Sequence, residues 1–294
     1  MAEYIPEFSK SAWEAALRNH AQELHPGLVL FRFFYEQEQK KKDVLKKIVG
    51  IHPSVKECVT LIKRQESQLA SLDAMGYAIR QWRQTLTKRL VCGLGIPSLA
   101  ENGIFLDRIL GVPYLPGSAL KGVAQDQGLM DVFPDRKDRR NNKRMDGIFV
   151  TVFGAQAAEQ GESLDPYWEA RKGHVIFLDA YPVLDTGSKP FEVDIINPHY
   201  TKYYQSDGEN APADYLAPKP HFFLTVRKGT TFSFAVAAKK ADFIMKDVHG
   251  KEQHVSVDDN KICSHAKEWL QSALVYLGIG GKTRVDYGYF DEPD

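Results

Sequence analysis

Apolar residues near the C-terminus recur at the spacing of an amphipathic helix, which predicts a helix over about residues 261–277. The apolar face consists of Ile262, Ala266, Trp269, Ala273, Leu274 and Leu277. Gly278 follows directly, and glycine is the usual residue just past the end of a helix. The aromatic residues 287–290 then predict a short strand. We therefore expect a helix packed on a sheet, followed by a loop and a strand.

The first third of the chain also has helical periodicity. Ser11–Glu14 and Ser54–Glu57 have the pattern of capping boxes, and apolar residues follow each of them at helical spacing. This pattern predicts helices through about Thr87. We expect residues 1–87 to form a helical N-terminal region that packs on a core formed by residues 88–294.

Strand-like apolar runs follow this helical region. Residues 88–95 predict a first strand, and the near-continuous apolar run 173–181 is typical of a central strand. Residues 191–196 form a shorter run of the same kind. The runs 221–226 and 231–238 are separated by only four residues, so they predict a β-hairpin.

The composition limits the classes of function. The chain has 294 residues, of which 43% are hydrophobic and 26% charged, as expected for a globular protein. Its 38 basic and 38 acidic residues give a net charge of zero. Any contact with nucleic acid must therefore come from local positive patches.

The three cysteines, Cys58, Cys92 and Cys263, are far apart and form no Cys-x-x-Cys pair. This spacing argues against a disulfide framework or structural zinc and fits a reducing cytosol. The first residues lack the apolar segment of a signal peptide, and no later stretch approaches a membrane span. We therefore expect a cytoplasmic protein with no metal, no cofactor and no membrane partner.

The loop after the C-terminal helix contains Gly278, Gly280 and Gly281, with Lys282 and Arg284 beside them. Glycines let the backbone turn tightly and approach another molecule closely. Bare amides and cationic side chains together can hold a polyanion, so the loop is a candidate site for RNA phosphates. The alternative is a tight helix-to-strand turn that carries surface cations.

The same loop contains the Gly-Lys-Thr sequence of nucleotide-binding P-loops. A P-loop has another glycine five residues before Gly281, where this chain has Tyr276. A P-loop also lies between a strand and a following helix, whereas this loop follows a helix. The sequence therefore argues against ATP or GTP binding.

A second candidate phosphate site begins at Pro116. Ser118 is suited to be the N-cap of a helix that would hold Lys121 in its first turn. The helix dipole disfavours a cation there unless an anion lies nearby, and helix N-termini bind phosphate through free amides. Gly117, Ser118 and Lys121 are therefore candidate RNA contacts, unless Lys121 points into solvent.

Two further segments have the composition of RNA contacts. Residues 136–144 contain six cations, including Arg139 and Arg140, and no apolar residue. Such a loop either improves solubility or binds phosphates, and its density of charge favours phosphate binding. Residues 197–220 carry Tyr203 among other tyrosines and a lysine, which suits either stacking on single-stranded nucleic acid or packing against a protein.

Three stretches of the chain are specific when they occur together. They are the segment 102–122 with the sequence GVPYLPGSALKG, the run FLDAYP followed by NPHY, and the terminal Gly-x-Gly-Gly-Lys-Thr. Over about residues 88–290 the chain resembles the RAMP superfamily of CRISPR proteins, most closely the sixth subunit type of the type III-B Cmr effector complex. The matching motif residues are Gly117, Ser118 and Lys121, and Gly278, Gly280, Gly281, Lys282 and Thr283 in the glycine-rich loop.

The resemblance implies an α+β fold with a ferredoxin-like, RRM-like RAMP core, in which an antiparallel sheet has helices on one face. It also implies a structural subunit without catalytic residues, which caps the backbone of the complex near the 3′ side of the guide RNA and contributes to foreign-RNA targeting. The implied partners are CRISPR guide RNA, target RNA and other Cmr-type subunits, namely the repeated backbone subunit, the small subunit and the other capping RAMP subunit.

Three residues depart from the pattern of that superfamily. Asp286 lies within the glycine-rich loop, where it would repel phosphate unless it points away or pairs with Arg284. Tyr289 stands where relatives commonly have a basic residue, and Asp107 stands where they frequently have histidine. These departures predict a weaker RNA contact at the loop, unless Asp286 is neutralised.

The main alternative is a CRISPR-transcript-processing endoribonuclease, because such enzymes share the RAMP core and the glycine-rich loop. RNA cleavage without a metal requires a general base and a general acid, and His199 and His221 lie near the tyrosine-rich segment. No paired-carboxylate or His-x-x-x-His motif is present, so we predict no catalytic residue. A third hypothesis is a scaffold that contacts protein subunits and not RNA.

Overall fold

The computed structural model describes residues 24–31, 38–51, 55–98, 101–134, 146–155, 170–185, 187–197, 203, 206, 211, 218, 220–246 and 251–293. The chain divides into two compact units. Unit 1 comprises residues 1–54, 91–113 and 185–227, and unit 2 comprises residues 55–90, 114–184 and 228–294. Both units draw on the first third of the chain as well as on later segments. The division at residue 87 stays a prediction.

The helices and strands alternate along the chain. The helices are α1 (Pro26–Phe31), α2 (Glu38–Gly50), α3 (Val55–Ala74), α4 (Gly117–Val132), α5 (Gly147–Phe153) and α6 (Asp259–Tyr276). The strands are β1 (Ala78–Thr85), β2 (Pro97–Ser98), β3 (Glu101–Asn102), β4 (Gly154–Ala155), β5 (Arg171–Lys172), β6 (Val175–Phe177), β7 (Tyr181–Pro182), β8 (Phe191–Ile196), β9 (His221–Val226), β10 (Thr231–Ala238), β11 (Ala241–Lys246) and β12 (Glu252–Val257).

Unit 2 contains the main antiparallel sheet. Strand β10 lies in its centre and pairs with β1 on one side and with β6 and β7 on the other. An isolated bridge between Leu86 and Phe290 brings the last segment of the chain beside β1. Helices α4 and α6 pack on each other and on this sheet. This arrangement is the predicted ferredoxin-like core, and it confirms the α+β fold class.

Alternate residues of β10 face opposite sides of the sheet. On the side of α6, Phe234 stacks on Trp82 with ring centroids 5.6 Å apart. Phe290 meets the rings of Phe232 and Phe234 edge-on, at 5.9 and 5.4 Å. On the other side, Leu72 of α3 packs in a small cluster with Leu178, Ala235 and Ala237. The helical N-terminal region thus supplies α3 to the second face of the sheet.

Unit 1 is built around a two-stranded antiparallel ribbon. Strands β8 and β9 pair along their whole length, from Phe191 opposite Val226 to Ile196 opposite His221. Helix α2 packs on both strands, and α1 packs on α2. The buried residues of α2 include Leu45 and Ile48, while the intervening lysines are exposed. The ribbon therefore gains hydrophobic cover from α2, which α1 supports from behind.

The predicted β-hairpin is wrong, although both of its strands exist. Strand β9 pairs with β8, whereas β10 pairs with β1, β6 and β7 in the other unit. The link between them changes direction at Gly229, which has a φ of +84°. The amide of Arg227 donates to the carbonyl of Pro190, and the amide of Gly229 donates to that of Leu86. Each strand is therefore fixed by partners distant in sequence.

Two predictions for the start of the core are also wrong. Residues 78–85 form β1 and not a helix, and residues 88–95 contain only an isolated bridge position. In β1 the buried Gln84 accepts a hydrogen bond from the Trp82 indole and donates one to the carbonyl of Asp291. Asp291 lies 207 positions away in sequence, so the local pattern of apolar residues does not reveal this partner. Residues 88–90 belong to unit 2 and residues 91–95 to unit 1.

The expectations for Ser11–Glu14, for residues 136–144 and for most of residues 197–220 lie outside the described residues. None of the described helices combines the length and the apolar character of a membrane span.

Phe290→Ala should lower the free energy of unfolding by about 3 kcal/mol, because it removes a buried ring from the contact between the last segment and β10. Urea denaturation followed by circular dichroism measures this change. The matched control is Val285→Ala, whose side chain is 60% exposed and should change stability by less than about 0.5 kcal/mol. Equal decreases in the two variants would contradict the role of Phe290 in closing the sheet.

Candidate nucleic-acid interface

Helix α6 begins and ends close to the predicted positions. At its start, the carboxylate of Asp258 accepts hydrogen bonds from the amides of Asn260 at 2.9 Å and Lys261 at 3.4 Å. At its end, Gly278 has a φ of +69°, and its amide donates to the carbonyl of Ala273 at 2.9 Å. The glycine therefore ends the helix as its sequence position indicates, and the chain turns into the loop.

The two ends of the glycine-rich loop are joined by backbone hydrogen bonds. The amide of Ile279 donates to the carbonyl of Gly288 at 2.9 Å, and the amide of Gly288 donates to the carbonyl of Arg89 at 2.7 Å. The amide of Phe290 donates to the carbonyl of Leu274 at 3.1 Å. Gly288 has a φ of +77°, and an added Cβ would overlap the carbonyl oxygen of Ile279. Only glycine fits this closure without displacing the backbone.

A 3₁₀ turn, Thr283–Val285, occupies the middle of the loop, between two left-handed residues. Lys282 has φ and ψ of 62° and 28°, and Asp286 has 70° and 33°. In the described part of the chain these two are the non-glycine residues with positive φ, a conformation that costs about 1 kcal/mol or more for an L-residue. The hydroxyl of Tyr289 donates to the carbonyl of Thr283 at 3.1 Å and helps to hold the turn.

The loop presents a mixed surface of amides and cations. Gly280 and Arg284 are exposed, and Gly281, Lys282 and Thr283 are half-buried. Gly278 is buried, so its direct contribution is to the end of the helix. The surface of the loop thus carries the exposed Arg284 and the half-buried Lys282.

The structure resolves the position of Asp286, which pairs with Lys88. The ammonium Nζ of Lys88 lies 2.8 Å from Oδ2 of Asp286, and the side chains are 47% and 75% exposed. The predicted partner, Arg284, is not the one observed. This pair neutralises the acid within the loop and adds Lys88 to the cations beside it. The pair is exposed, so a phosphate can compete with Asp286 for Lys88.

The second candidate site is the start of α4. The helix begins at Gly117, with Pro116 in the N-cap position and no side-chain cap, so the expectation of Ser118 as N-cap is wrong. Oδ1 of Asp179 accepts a hydrogen bond from the amide of Gly117 at 2.7 Å. A Cβ on Gly117 would overlap the carbonyl oxygen of Phe177. A carboxylate of the chain itself thus occupies the helix N-terminus, where sequence reasoning expected an external anion.

The remaining predicted residues are spread over the chain. Ser118 is exposed and Lys121 is half-buried, in the second turn of α4. Tyr203 belongs to unit 1 and is half-buried, and its carbonyl accepts hydrogen bonds from the amide and hydroxyl of Ser206. Arg139 and Arg140 lie outside the described residues. The structure brings together the predicted residues of the glycine-rich loop and, separately, those at the start of α4.

Sequence reasoning missed Lys88 and Asp179. Each makes its contact across a long stretch of chain, from Lys88 to Asp286 and from Asp179 to Gly117. The only signal in the sequence for Lys88 was Asp286, since an acidic side chain in the loop requires either a cationic partner or exposure to solvent. Asp107, the third departure, is buried, and its carboxylate accepts hydrogen bonds from the amides of Ile109 and Leu110. It stabilises a turn.

Within the described residues, no group of three or more His, Cys, Asp or Glu side chains could hold a metal ion. Burial raises the pKa of Cys92 to about 12 and that of Cys263 to about 11. Both side chains therefore remain thiols at neutral pH and are poor metal ligands and nucleophiles. His221 is half-buried on β9 in unit 1.

An RRM-like sheet with a rigid glycine-rich loop after its second helix defines the structural class. The family model of the RAMP superfamily matches residues 84–291, which include the end of β1 and all of α4, β10, α6 and the loop. The chain is 31% identical over 291 residues to the CRISPR system Cmr subunit Cmr6 of Pyrococcus furiosus, covering 86% of this chain and 80% of that protein. The chain therefore belongs to the RAMP superfamily and, within it, to the Cmr6 family.

A second relative and a solved structure are also similar to the chain. The chain is 25% identical over 223 residues to the CRISPR system CMR subunit Cmr6 of Saccharolobus solfataricus, covering 75% of this chain and 60% of that protein. It shares its fold with a chain in the cryo-EM structure of the type III-B Cmr-beta bound to cognate target RNA, with a TM-score of 0.60 and 19% identity. That match covers 98% of this chain and 87% of the other.

Asp286→Asn should increase the affinity of the protein for single-stranded RNA by about threefold at low salt. The change releases Lys88 and removes a negative charge from the loop, and asparagine tolerates the left-handed conformation of this residue. Fluorescence anisotropy with labelled RNA measures the affinity. Asp126→Asn, which removes an exposed acid from α4, is the matched control. An unchanged or lower affinity in Asp286→Asn would show that RNA does not reach Lys88.

Proposed function

We propose that the chain is a non-catalytic, RNA-binding structural subunit of a type III-B CRISPR ribonucleoprotein effector complex. It caps the backbone of the complex near the 3′ side of the guide RNA and contributes to foreign-RNA targeting. Its partners are then guide RNA, target RNA and the other Cmr-type subunits, in the cytoplasm. Membership of the Cmr6 family supports this proposal, since the Pyrococcus relative is named as a subunit of a CRISPR system.

The geometry of the glycine-rich loop carries the RNA-binding part of the proposal. Its closure by Ile279 and Gly288 holds the turn Thr283–Val285 in one conformation before any ligand arrives. Lys282 and Arg284 then offer positive charge from fixed positions, next to the exposed backbone of Gly280. A preformed cationic surface of this kind suits phosphate, because little conformational entropy is lost on binding.

The same geometry favours contacts that do not depend on RNA sequence. Lysine and arginine side chains beside glycine amides match the charge and the oxygens of phosphate, and phosphate contacts position a nucleic acid without reading its bases. A subunit that holds a guide RNA must accept many guide sequences. The loop therefore suits retention of the guide, and base pairing within the RNA supplies the specificity.

The non-catalytic part of the proposal rests on the sequence, which contains no paired-carboxylate or His-x-x-x-His motif. The buried thiols of Cys92 and Cys263 are protonated, and no metal-ligating group of three accompanies any histidine there. His199, one of the two histidines considered for the alternative endoribonuclease, lies outside the described residues. His221 lies on β9, which pairs only with β8 among the described strands.

Lys282→Glu should weaken the binding of guide RNA by about tenfold at low salt, because it replaces an attraction to phosphate with a repulsion. Lys121→Glu should weaken it less, because the carboxylate of Asp179 already occupies the start of α4. The slope of log affinity against log salt should become shallower by about 0.7 for each phosphate that is no longer neutralised. Anisotropy titrations over a salt series measure both quantities.

The matched control for these reversals is Lys63→Glu, an exposed charge reversal on α3. An unchanged affinity in Lys282→Glu would contradict the role of the loop. An unchanged affinity in Lys121→Glu alone would confine the site to the loop. RNA crosslinks restricted to other subunits of the purified complex would favour the scaffold hypothesis instead.

The purified chain should not cleave CRISPR repeat RNA at specific positions in EDTA. Without a metal, cleavage would need a positioned general acid and base, which the sequence does not predict. Denaturing gel electrophoresis of labelled repeat RNA provides the measurement. Specific cleavage that is abolished in His221→Ala or His199→Ala would support the processing endoribonuclease and contradict the proposal.

A further inference from the structure

A second group of cations lies in unit 2, away from the glycine-rich loop. It consists of Arg171, Lys172, Lys239 and Lys240, which we call the Lys239 patch. Lys239 and Lys240 follow β10, whose last residue, Ala238, pairs with Ala78 at the start of β1. The amide of Lys239 donates to the carbonyl of His174, which brings the segment after β5 to the same place. The patch therefore lies at the end of the sheet where β1 begins.

Aromatic rings alternate with the cations of the patch. Nζ of Lys239 lies 4.6 Å from the ring centroid of Tyr77. The guanidinium carbon of Arg171 lies 4.3 Å from the ring centroid of Phe243, and Nη2 of Arg171 donates to the carbonyl of Ile244. The ring of His174 stacks on the same Phe243 ring, with centroids 6.0 Å apart. These contacts order Arg171 and Lys239 before any ligand binds.

The patch brings four cationic side chains together in unit 2. Lys172, Lys239 and Lys240 are exposed and Arg171 is half-buried, and within the described residues none of the four forms an ion pair with a carboxylate. Burial lowers the pKa of His174 below its ordinary value. A hydrogen bond to the backbone of Lys240 raises it in part, and the charges of Arg171 and Lys172 lower it further. His174 is therefore a neutral ring among four positive charges.

We propose that the Lys239 patch is a second RNA-contact surface, which holds the phosphates of a single-stranded segment through Arg171, Lys172, Lys239 and Lys240. Cations beside partly exposed rings are the features that bind single-stranded nucleic acid without sequence preference. An acidic protein surface would match the charges but would gain little from the neutral rings of His174 and Tyr77. The patch therefore fits RNA better than it fits a protein partner.

The patch is independent of the glycine-rich loop. Helix α6 runs between the two sites, since Asn260 near its start accepts a hydrogen bond from Arg80 of β1 and its last residues lead into the loop. Its 18 residues span about 27 Å. A single phosphate cannot contact both sites, so each makes its own contribution to binding.

The test uses the full-length protein and a fluorescein-labelled single-stranded oligouridylate, with affinity measured by anisotropy over a salt series. The variant Lys172→Ala/Lys240→Ala should bind about tenfold more weakly at low salt, with a salt slope shallower by about 1.4 because two phosphates are no longer neutralised. Both side chains are exposed, so the packing of Phe243 stays intact. The matched control is Lys46→Ala/Lys47→Ala, which removes two exposed charges from α2 in unit 1.

Four outcomes would decide the proposal. Weaker binding in the patch variant alone supports the proposal. Similarly weaker binding in the control variant would overturn it, because the loss of affinity would then follow from net charge and not from the position of the patch. Unchanged RNA affinity in the patch variant, together with dissociation of neighbouring subunits from the purified complex, would assign the surface to a protein partner. If RNA affinity were unchanged in Lys282→Glu but lower in the patch variant, the loop would be rejected as an RNA site and the patch would be supported.

Discussion

The last segment of the chain must pass between helix α6 and the edge of the sheet, and this constraint shapes the candidate interface. Gly288 makes the passage possible, because no side chain fits against the carbonyl of Ile279. Its amide bonds to Arg89 and its carbonyl accepts from Ile279, so the loop is tied at one point to both the helix exit and the segment after β1. Phe290 then enters the aromatic core beside Phe232 and Phe234. The stability of the core thereby holds the loop in place.

This anchoring explains how the loop tolerates an unfavourable backbone. Lys282 and Asp286 both adopt left-handed conformations, which a free loop would relax. Because the loop is held at its ends, the packing of unit 2 offsets the cost of these left-handed residues, and the turn Thr283–Val285 is retained. The Lys88–Asp286 pair adds a further tie between the loop and the segment after β1. A protein with no net charge can in this way present positive charge at one fixed position.

Local patterns predicted those parts of the structure that local interactions determine. The periodicity of α6 and the glycine after it located the helix and its end within about two residues, as did the apolar run of β8. The hairpin of β9 and β10 failed because strand partners are chosen by packing and not by proximity in sequence. The glycine-rich loop and its acid Asp286 were identified from the sequence, but the partner of Asp286 was not, since Lys88 lies 198 positions away in sequence.

The two candidate phosphate sites predicted from the sequence, the start of α4 and the glycine-rich loop, differ in how firmly an acidic side chain is held at each. At the start of α4, the helix dipole and the free amide of Gly117 already have a negative partner in Asp179. A phosphate at that point would have to displace a carboxylate or lie beside it, and both arrangements weaken binding. In the glycine-rich loop the acid is paired with an exposed lysine, so a phosphate that replaces Asp286 gains Lys88 as well as Lys282 and Arg284. An exposed ion pair is weak and exchangeable, whereas a helix cap is part of the fold, and this difference makes the loop the better site for RNA.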